Sequence, residues 1–259
     1  MLLAVNVGNT NTVLGVFRGA DLRHQWRLST QTERTADELA VLFGSCLSDE
    51  GLSFDREITG VVISSVVPTM TGALREMTDR YFNFPPVIVG PGTKTGIPIL
   101  TDNPREVGAD RIVNALAAFT RHGGPVIAVD FGTATTFDAV TAKGEFVGGA
   151  IAPGVQTSNV TLSRRTARLP EVELAEPRAA IGRNTVEALQ SGLIFGSAAE
   201  VDGIVERMRT ELGGAKVVAT GGLAPLIVPH CKTIDVFDPY LTLEGLRLVS
   251  ERNAVTADE

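Results

Sequence analysis

The chain predicts an α/β fold built by duplication, on three observations. One short phrase is nearly repeated, as LLAVNVGNTNTV near the start and VIAVDFGTATTF midway. After each copy, strand-like and helix-like runs alternate in the same order. The composition, 44% hydrophobic and 20% charged with 27 glycines and 5% aromatics, suits a globular α/β enzyme better than an adhesive module or a disordered chain. At 259 residues the chain exceeds the usual single-domain size, so two domains of about 120 residues each are expected.

Residues 2–7, 12–18 and 22–29 read as three strands, the last two joined through Arg18-Gly19-Ala20-Asp21. Thr35 and Glu38 form a capping-box pair at the head of a helix whose apolar positions are Leu39, Leu42, Phe43 and Leu47. Gly60 to Val66 is a buried strand. Pro68 then starts a helix with Leu74, Met77 and Tyr81 on its inner face, and Pro85 to Val89 forms another strand. Three antiparallel strands, then helix, strand, helix and strand, describe a ribonuclease-H-like unit. The second half repeats it with strands Val126 to Asp130, Thr135 to Thr141 and Glu145 to Ala150, turning at Ala142-Lys143-Gly144. Helices near 155–165 and 184–211, a strand Ala215 to Thr220, a closing helix Thr242 to Glu251 and a frayed tail from Asn253 complete it. The expected division is a ribonuclease-H-like domain at 1–118 and another at 119–259, with a central cleft between them.

Aligned on the glycines, Asn6 matches Asp130, Gly8 matches Gly132, and Asn9 to Thr12 match Thr133 to Thr136. Glycine lets a backbone approach a ligand closely, and consecutive amides with hydroxyls make a concave anion site. Two such turns facing each other would grip a nucleotide's phosphates, whereas a purely structural duplication is the blander reading. Residues 90–112 are rich in glycine and proline yet carry Lys94, Asp102, Arg105, Glu106, Asp110 and Arg111, which suits a substrate-facing loop. Asp110 is a candidate base for an acceptor hydroxyl in phosphoryl transfer, and Arg111 offers a fork for a substrate carboxylate. The plain alternative is an ion pair at a helix start. Gly148 to Gly154 reads either as a tight strand-to-helix connection or as backbone lining a pocket. Ala219-Thr220-Gly221-Gly222 reads as an αβ corner or an adenine platform. Thr185 heads a long helix as a possible cap.

Other classes are disfavoured. A net charge of −7 and a pI near 5.1 argue against nucleic acid and anionic membrane as partners. Cys46 and Cys231 are far apart, as expected of reduced thiols in a cytoplasmic protein. His24, His122 and His230 have no metal or triad spacing, and neither a Walker lysine loop nor a GxSxG elbow is present. The apolar start lacks the basic flank of a signal peptide, and no run approaches the roughly 20 residues that span a bilayer.

The ordered set VGNTNT, VGPGTKTGIP, NPREVGADRI, VDFGTATTFD, GGAIAPG, IGRNT and TGGLAP resembles the type III pantothenate kinases, of the acetate-kinase, sugar-kinase, Hsp70 and actin superfamily, from residue 2 to about 252. The resemblance implies an actin-like ATPase fold and ATP-dependent phosphorylation of pantothenate, the first step to coenzyme A. It implies that Asn6, Val7, Gly8, Asn9, Thr10, Asn11, Thr12 and Val13 hold the nucleotide phosphates with Mg2+ or another divalent metal, and that Thr133 touches ATP. Asp110 is then the proton acceptor, Gly108, Ala109, Asp110 and Arg111 meet pantothenate with Thr185, and Asp130 holds K+ or NH4+. A homodimer completing the pocket is also implied. One position departs: the family's first phosphate motif begins with aspartate, and here it is Asn6. An amide still offers oxygen to a metal but brings no charge, and one lost electrostatic contact at such a site costs about 3 kcal/mol. Two rival expectations remain, a catalytically silent regulatory or binding protein on the same fold, and a kinase for another small hydroxy acid.

Overall fold

The computed structural model describes residues 1–82 and 84–254. Chain contacts group Met1–Ile97, Asn103–Ala117 and the segment from Thr242 onward into one unit, and Pro98–Asp102 with Ala118–Leu241 into another.

In the first unit β1 (Leu2–Val7), β2 (Asn11–Arg18), β3 (Asp21–Ser29), β4 (Gly60–Ser65) and β5 (Val87–Ile88) form one sheet, ordered β3-β2-β1-β4-β5. The β1–β2 and β2–β3 pairs are antiparallel, while β1–β4 and β4–β5 are parallel. Parallel neighbours need a crossover, and α2 (Pro68–Tyr81) supplies it between β4 and β5. One sheet face presents Leu3, Val5, Val7, Leu14 and Val16 to α1 (Ala36–Ser48) and α2, which answer with Leu39, Phe43, Leu47, Met70, Leu74 and Met77. The i, i+4, i+8 spacing of Leu39, Phe43 and Leu47 makes that stripe. Both halves of the capping box form: the Glu38 amide donates to Thr35 Oγ1 at 3.3 Å, and the Thr35 amide to Glu38 Oε2 at 2.8 Å. On the other face Gly15 leaves room for Leu243 of α7 (Leu241–Asn253), since a β-carbon at residue 15 would lie 2.8 Å from Leu243 Cδ1. Gly245 brings α7 against α3 (Ala109–His122): a β-carbon there would stand 2.0 Å from the Val113 carbonyl oxygen. Thr242 Oγ1 donates to Asn114 Oδ1 at 2.7 Å beside that contact.

The second unit repeats the topology. Its sheet runs β10-β9-β6-β7-β8, from β6 (Val126–Phe131), β7 (Ala134–Val140), β8 (Phe146–Pro153), β9 (Lys216–Thr220) and β10 (Val236–Phe237). β6 pairs antiparallel with β7 and parallel with β9, as β1 does with β2 and β4. Ile127, Val129, Phe131 and Phe137 pack against α5 (Thr185–Leu212), whose Ile194, Ala198, Val201 and Val205 recur at helical spacing. Two duplicated α/β units are thus present.

Several local expectations change. Tyr81 is 37% exposed rather than inward, because its hydroxyl donates to Asp37 at 2.8 Å; Phe82, 4% exposed, fills the inner place. Only Val87 and Ile88 of the expected strand 85–89 are β-structure, since Pro85 and Pro86 have no N–H to give a ladder. β8 runs on to Pro153, so most of the Gly148–Gly154 stretch is edge strand, where proline is tolerated. Asn253, where the tail was expected to begin, instead ends α7, and the rest of that expectation falls on residues 255–259, outside the described residues. Among the described residues no helix is long and apolar enough to cross a membrane.

Two helical glycines should respond oppositely to a methyl group. Gly245→Ala is expected to lose about 2 kcal/mol or more, because a backbone carbonyl cannot step aside. Gly72→Ala, in α2 with nothing within 4 Å, is expected to gain about 0.5–1 kcal/mol. Urea denaturation of the two variants measures both, and equal effects would refute the close approach of α7 and α3.

Candidate active site

The first turn joins β1 to β2. The Gly8 amide donates to the Asn11 carbonyl at 3.0 Å, leaving Asn9, Thr10 and Asn11 exposed at the tip. Thr30, just past β3, reaches back to it. Its hydroxyl donates to the Gly8 carbonyl at 2.8 Å, its amide donates to the Thr10 carbonyl at 2.9 Å, and its Oγ1 lies 3.0 Å from Thr12 Oγ1. Asn6 stands opposite Val13 on β2 and Ser64 on β4. It shares a sheet face with Ala4, which pairs with Gly15, so it points to the α7 side, and α7 packs on the helix that carries Asp110. Asn6 Oδ1 and Ser64 Oγ are both buried without a hydrogen-bond partner.

The second turn, in the other unit, is one residue shorter. The Gly132 amide donates to the Ala134 carbonyl at 3.1 Å, and Asp130 faces Thr136 where Asn6 faces Val13. Beyond the turn the two copies therefore correspond with an offset: Thr12 takes the place of Thr135, not Thr136. Two glycine motifs converge here. A β-carbon at Gly221 (φ +101°) would lie 2.5 Å from Asp130 Oδ1, and one at Gly154 2.4 Å from the carbonyl oxygens of Gly132 and Thr133. The Gly154 amide and the Thr157 hydroxyl both donate to the Thr133 carbonyl, at 3.1 and 2.6 Å.

Asp110 occupies the first turn of α3, in the first unit. Its Oδ1 accepts the Arg111 amide at 2.8 Å and folds so close to Gly108 that a β-carbon there would sit 2.6 Å away. Burial pushes the Asp110 carboxyl above its ordinary value; the Arg111 amide and guanidinium pull it part of the way back. A carboxylate so placed is a better base than a free one at neutral pH. Gly108, Ala109 and Arg111 flank it on the same short stretch.

Thr185 is the first residue of α5 and exposed, but it is not the cap. Asn184 is, accepting the Glu187 amide at 2.9 Å. Beside it lies a cavity of about 550 Å³ lined by residues including Glu176, Arg178, Ile181, Arg183 and Gln190, within the second unit. The structure thus sets Asn6–Val13 and Asp110 in one unit, and Asp130, Thr133 and Thr185 in the other. Thr30, Ser64 and Thr157 escaped the sequence reading, because single hydroxyls outside a motif carry no spacing signal. Among the described residues no group of three or more His, Cys, Asp or Glu side chains is placed to hold a metal.

Comparison with known proteins identifies the relatives of this chain. A family model for type III pantothenate kinase matches residues 2–207. A type III pantothenate kinase of Streptomyces coelicolor is 54% identical over 261 residues, covering 98% of each chain. One from Moorella thermoacetica is 54% identical over 254 residues, 98% of this chain and 100% of its own. The solved ROK hexokinase of Thermus thermophilus superposes with a TM-score of 0.51 at 14% identity, covering 96% of this chain and 97% of its own, a likeness of fold.

The raised Asp110 carboxyl makes stability depend on pH with a definite sign. As pH rises, the unfolded chain gives up this proton first, so the folded chain binds more protons and loses stability until the shifted value is passed. Asp110→Asn removes that loss. Its stability relative to the parent is expected to grow as pH rises from about 3 through the carboxylate range and then level off, by urea titration at a series of pH values. A difference flat across pH would show an ordinary carboxyl.

Proposed function

We infer the activity from kinship: this chain belongs to the type III pantothenate kinase family, and its reaction is the transfer of the γ-phosphoryl group of ATP to the primary hydroxyl of pantothenate. The product is 4'-phosphopantothenate, the first intermediate towards coenzyme A. The observation that carries this reading within the chain is Asp110, a carboxylate held over Gly108 at a helix start with its basicity raised by burial.

Asp110 accepts the proton of the pantothenate hydroxyl as that oxygen attacks phosphorus. Gly108, Ala109 and Arg111 contact pantothenate, the Arg111 guanidinium pairing with its carboxylate, and Thr185 contributes a further contact. The turn from Asn6 through Val7, Gly8, Asn9, Thr10, Asn11 and Thr12 to Val13 takes the ATP phosphates. Thr133 touches the nucleotide, and the Gly221-Gly222 backbone accommodates adenine. A divalent cation supplies charge neutralisation to the phosphates when bound. The buried, unpartnered Asn6 Oδ1 fits such an ion as a hard oxygen donor, although a neutral one. Asp130 provides a carboxylate for K+ or NH4+. A homodimer in the cytoplasm completes the proposal. The rival of a silent binding protein has Asn6 on its side, and Asp110, Arg111, Asp130 and Thr185 together with full-length likeness to named kinases against it.

Two substitutions test the reading by coupled assay of ADP release. Asp110→Asn is expected to lower kcat by about 10²- to 10⁴-fold while ADP still binds. Asn6→Asp, which restores a charge beside the phosphates, is expected to raise kcat by roughly 100-fold at saturating Mg2+. Absence of phosphopantothenate from both the parent and Asn6→Asp would sink the kinase reading.

A further inference from the structure

The hydroxyl of Thr30 has one proton, and the Gly8 carbonyl can only accept, so that proton is committed to the 2.8 Å bond with Gly8. The 3.0 Å contact between Thr12 and Thr30 must then run from Thr12 as donor to Thr30 as acceptor. A directed relay results: Thr12 to Thr30 to Gly8. Thr12 is 2% exposed and its proton is spent inward, so its hydroxyl is not a donor to a ligand. The Thr30 amide meanwhile holds the Thr10 carbonyl at 2.9 Å.

These bonds orient peptide planes. Across a trans peptide the N–H points opposite to the C=O. Drawing the Gly8 and Thr10 carbonyls towards residue 30 therefore turns the amides of Asn9 and Asn11 away from it. Backbone amides left unspent at an exposed turn are donors for an anion, and here the two are alternate rather than successive residues. In the second turn a hydroxyl from an unrelated element, Thr157 of α4 (Val155–Arg165), also holds a carbonyl, that of Thr133 rather than that of Gly132, at 2.6 Å. Both glycine turns thus have a hydroxyl from elsewhere in the chain on one of their carbonyls, though on different ones.

We propose that Thr30 is a positioning residue for nucleotide binding: its hydroxyl and amide set the Asn9 and Asn11 amides to receive the phosphates of ATP. This rests on the reading that the first turn binds ATP. It predicts a selective defect in nucleotide affinity, which a merely stabilising contact would not produce.

The experiment compares the full-length parent with Thr30→Val, which keeps shape and loses the hydroxyl, and Thr30→Ser, which keeps the hydroxyl. Thr30→Val is expected to raise the KM for ATP and the calorimetric Kd for ADP about tenfold, with the KM for pantothenate within about twofold of the parent. Thr30→Ser is expected to return both nucleotide values to within about threefold. Thr30→Ala serves in place of Thr30→Val should that variant not fold, as judged by circular dichroism. Unchanged ADP affinity in a folded hydroxyl-free variant overturns the proposal, as does a serine variant no better than valine. A parent that binds ADP but phosphorylates nothing overturns the proposed activity alone, and the ADP titrations still decide the role of Thr30. A parent that binds no ADP overturns both.

Discussion

Backbone meeting backbone, at separations only glycine allows, is the constraint on which both units depend. Gly245 seats α7 on the Val113 carbonyl, and through it the helix carrying Asp110 is held on its sheet. Gly221 and Gly154 do the same around the turn of Asp130 and Thr133. A side chain at any of these positions would occupy space already filled by main chain or carboxylate. Close-packed interiors do not yield by an ångström without loss, so the positions of Asp110 and Asp130 follow from those contacts.

The duplication is topologically faithful and chemically uneven. Each unit has a central strand paired antiparallel on one side and parallel on the other, and each ends that strand in a glycine turn. The first turn is longer by one residue and begins with an amide; the second is shorter and begins with a carboxylate. The amide leaves a buried oxygen without a partner beside the equally unpartnered Ser64 hydroxyl. Buried polar atoms of that kind are uncommon and mark places where a ligand, ion or water belongs.

Much of this was legible beforehand because it rests on local rules. The Thr35–Glu38 capping box, the Pro68 helix start and the Gly19-Ala20 turn all lie where residue chemistry puts them. The two glycine turns and the charged stretch around Asp110 were visible as motifs. What was missed depends on residues meeting across long separations. Tyr81 has the spacing of a core residue, yet an aspartate 44 residues earlier captures its hydroxyl at the rim. Thr30 looks like any loop threonine until β3 folds back and delivers it to Gly8. Asn184 rather than Thr185 caps α5, a distinction between adjacent polar residues that rests on backbone dihedrals.

From the linear order of residues alone came the strand and helix periods, the repeat and the glycine-rich turns. Each depends on neighbours a few positions apart, and backbone sterics act at that range. Folding decided the one-residue offset between the copies, the return of α7 to the first sheet and the direction of the Thr12–Thr30–Gly8 relay. Those depend on hydrogen-bond partners and packing contacts that the chain brings together only once both sheets are built.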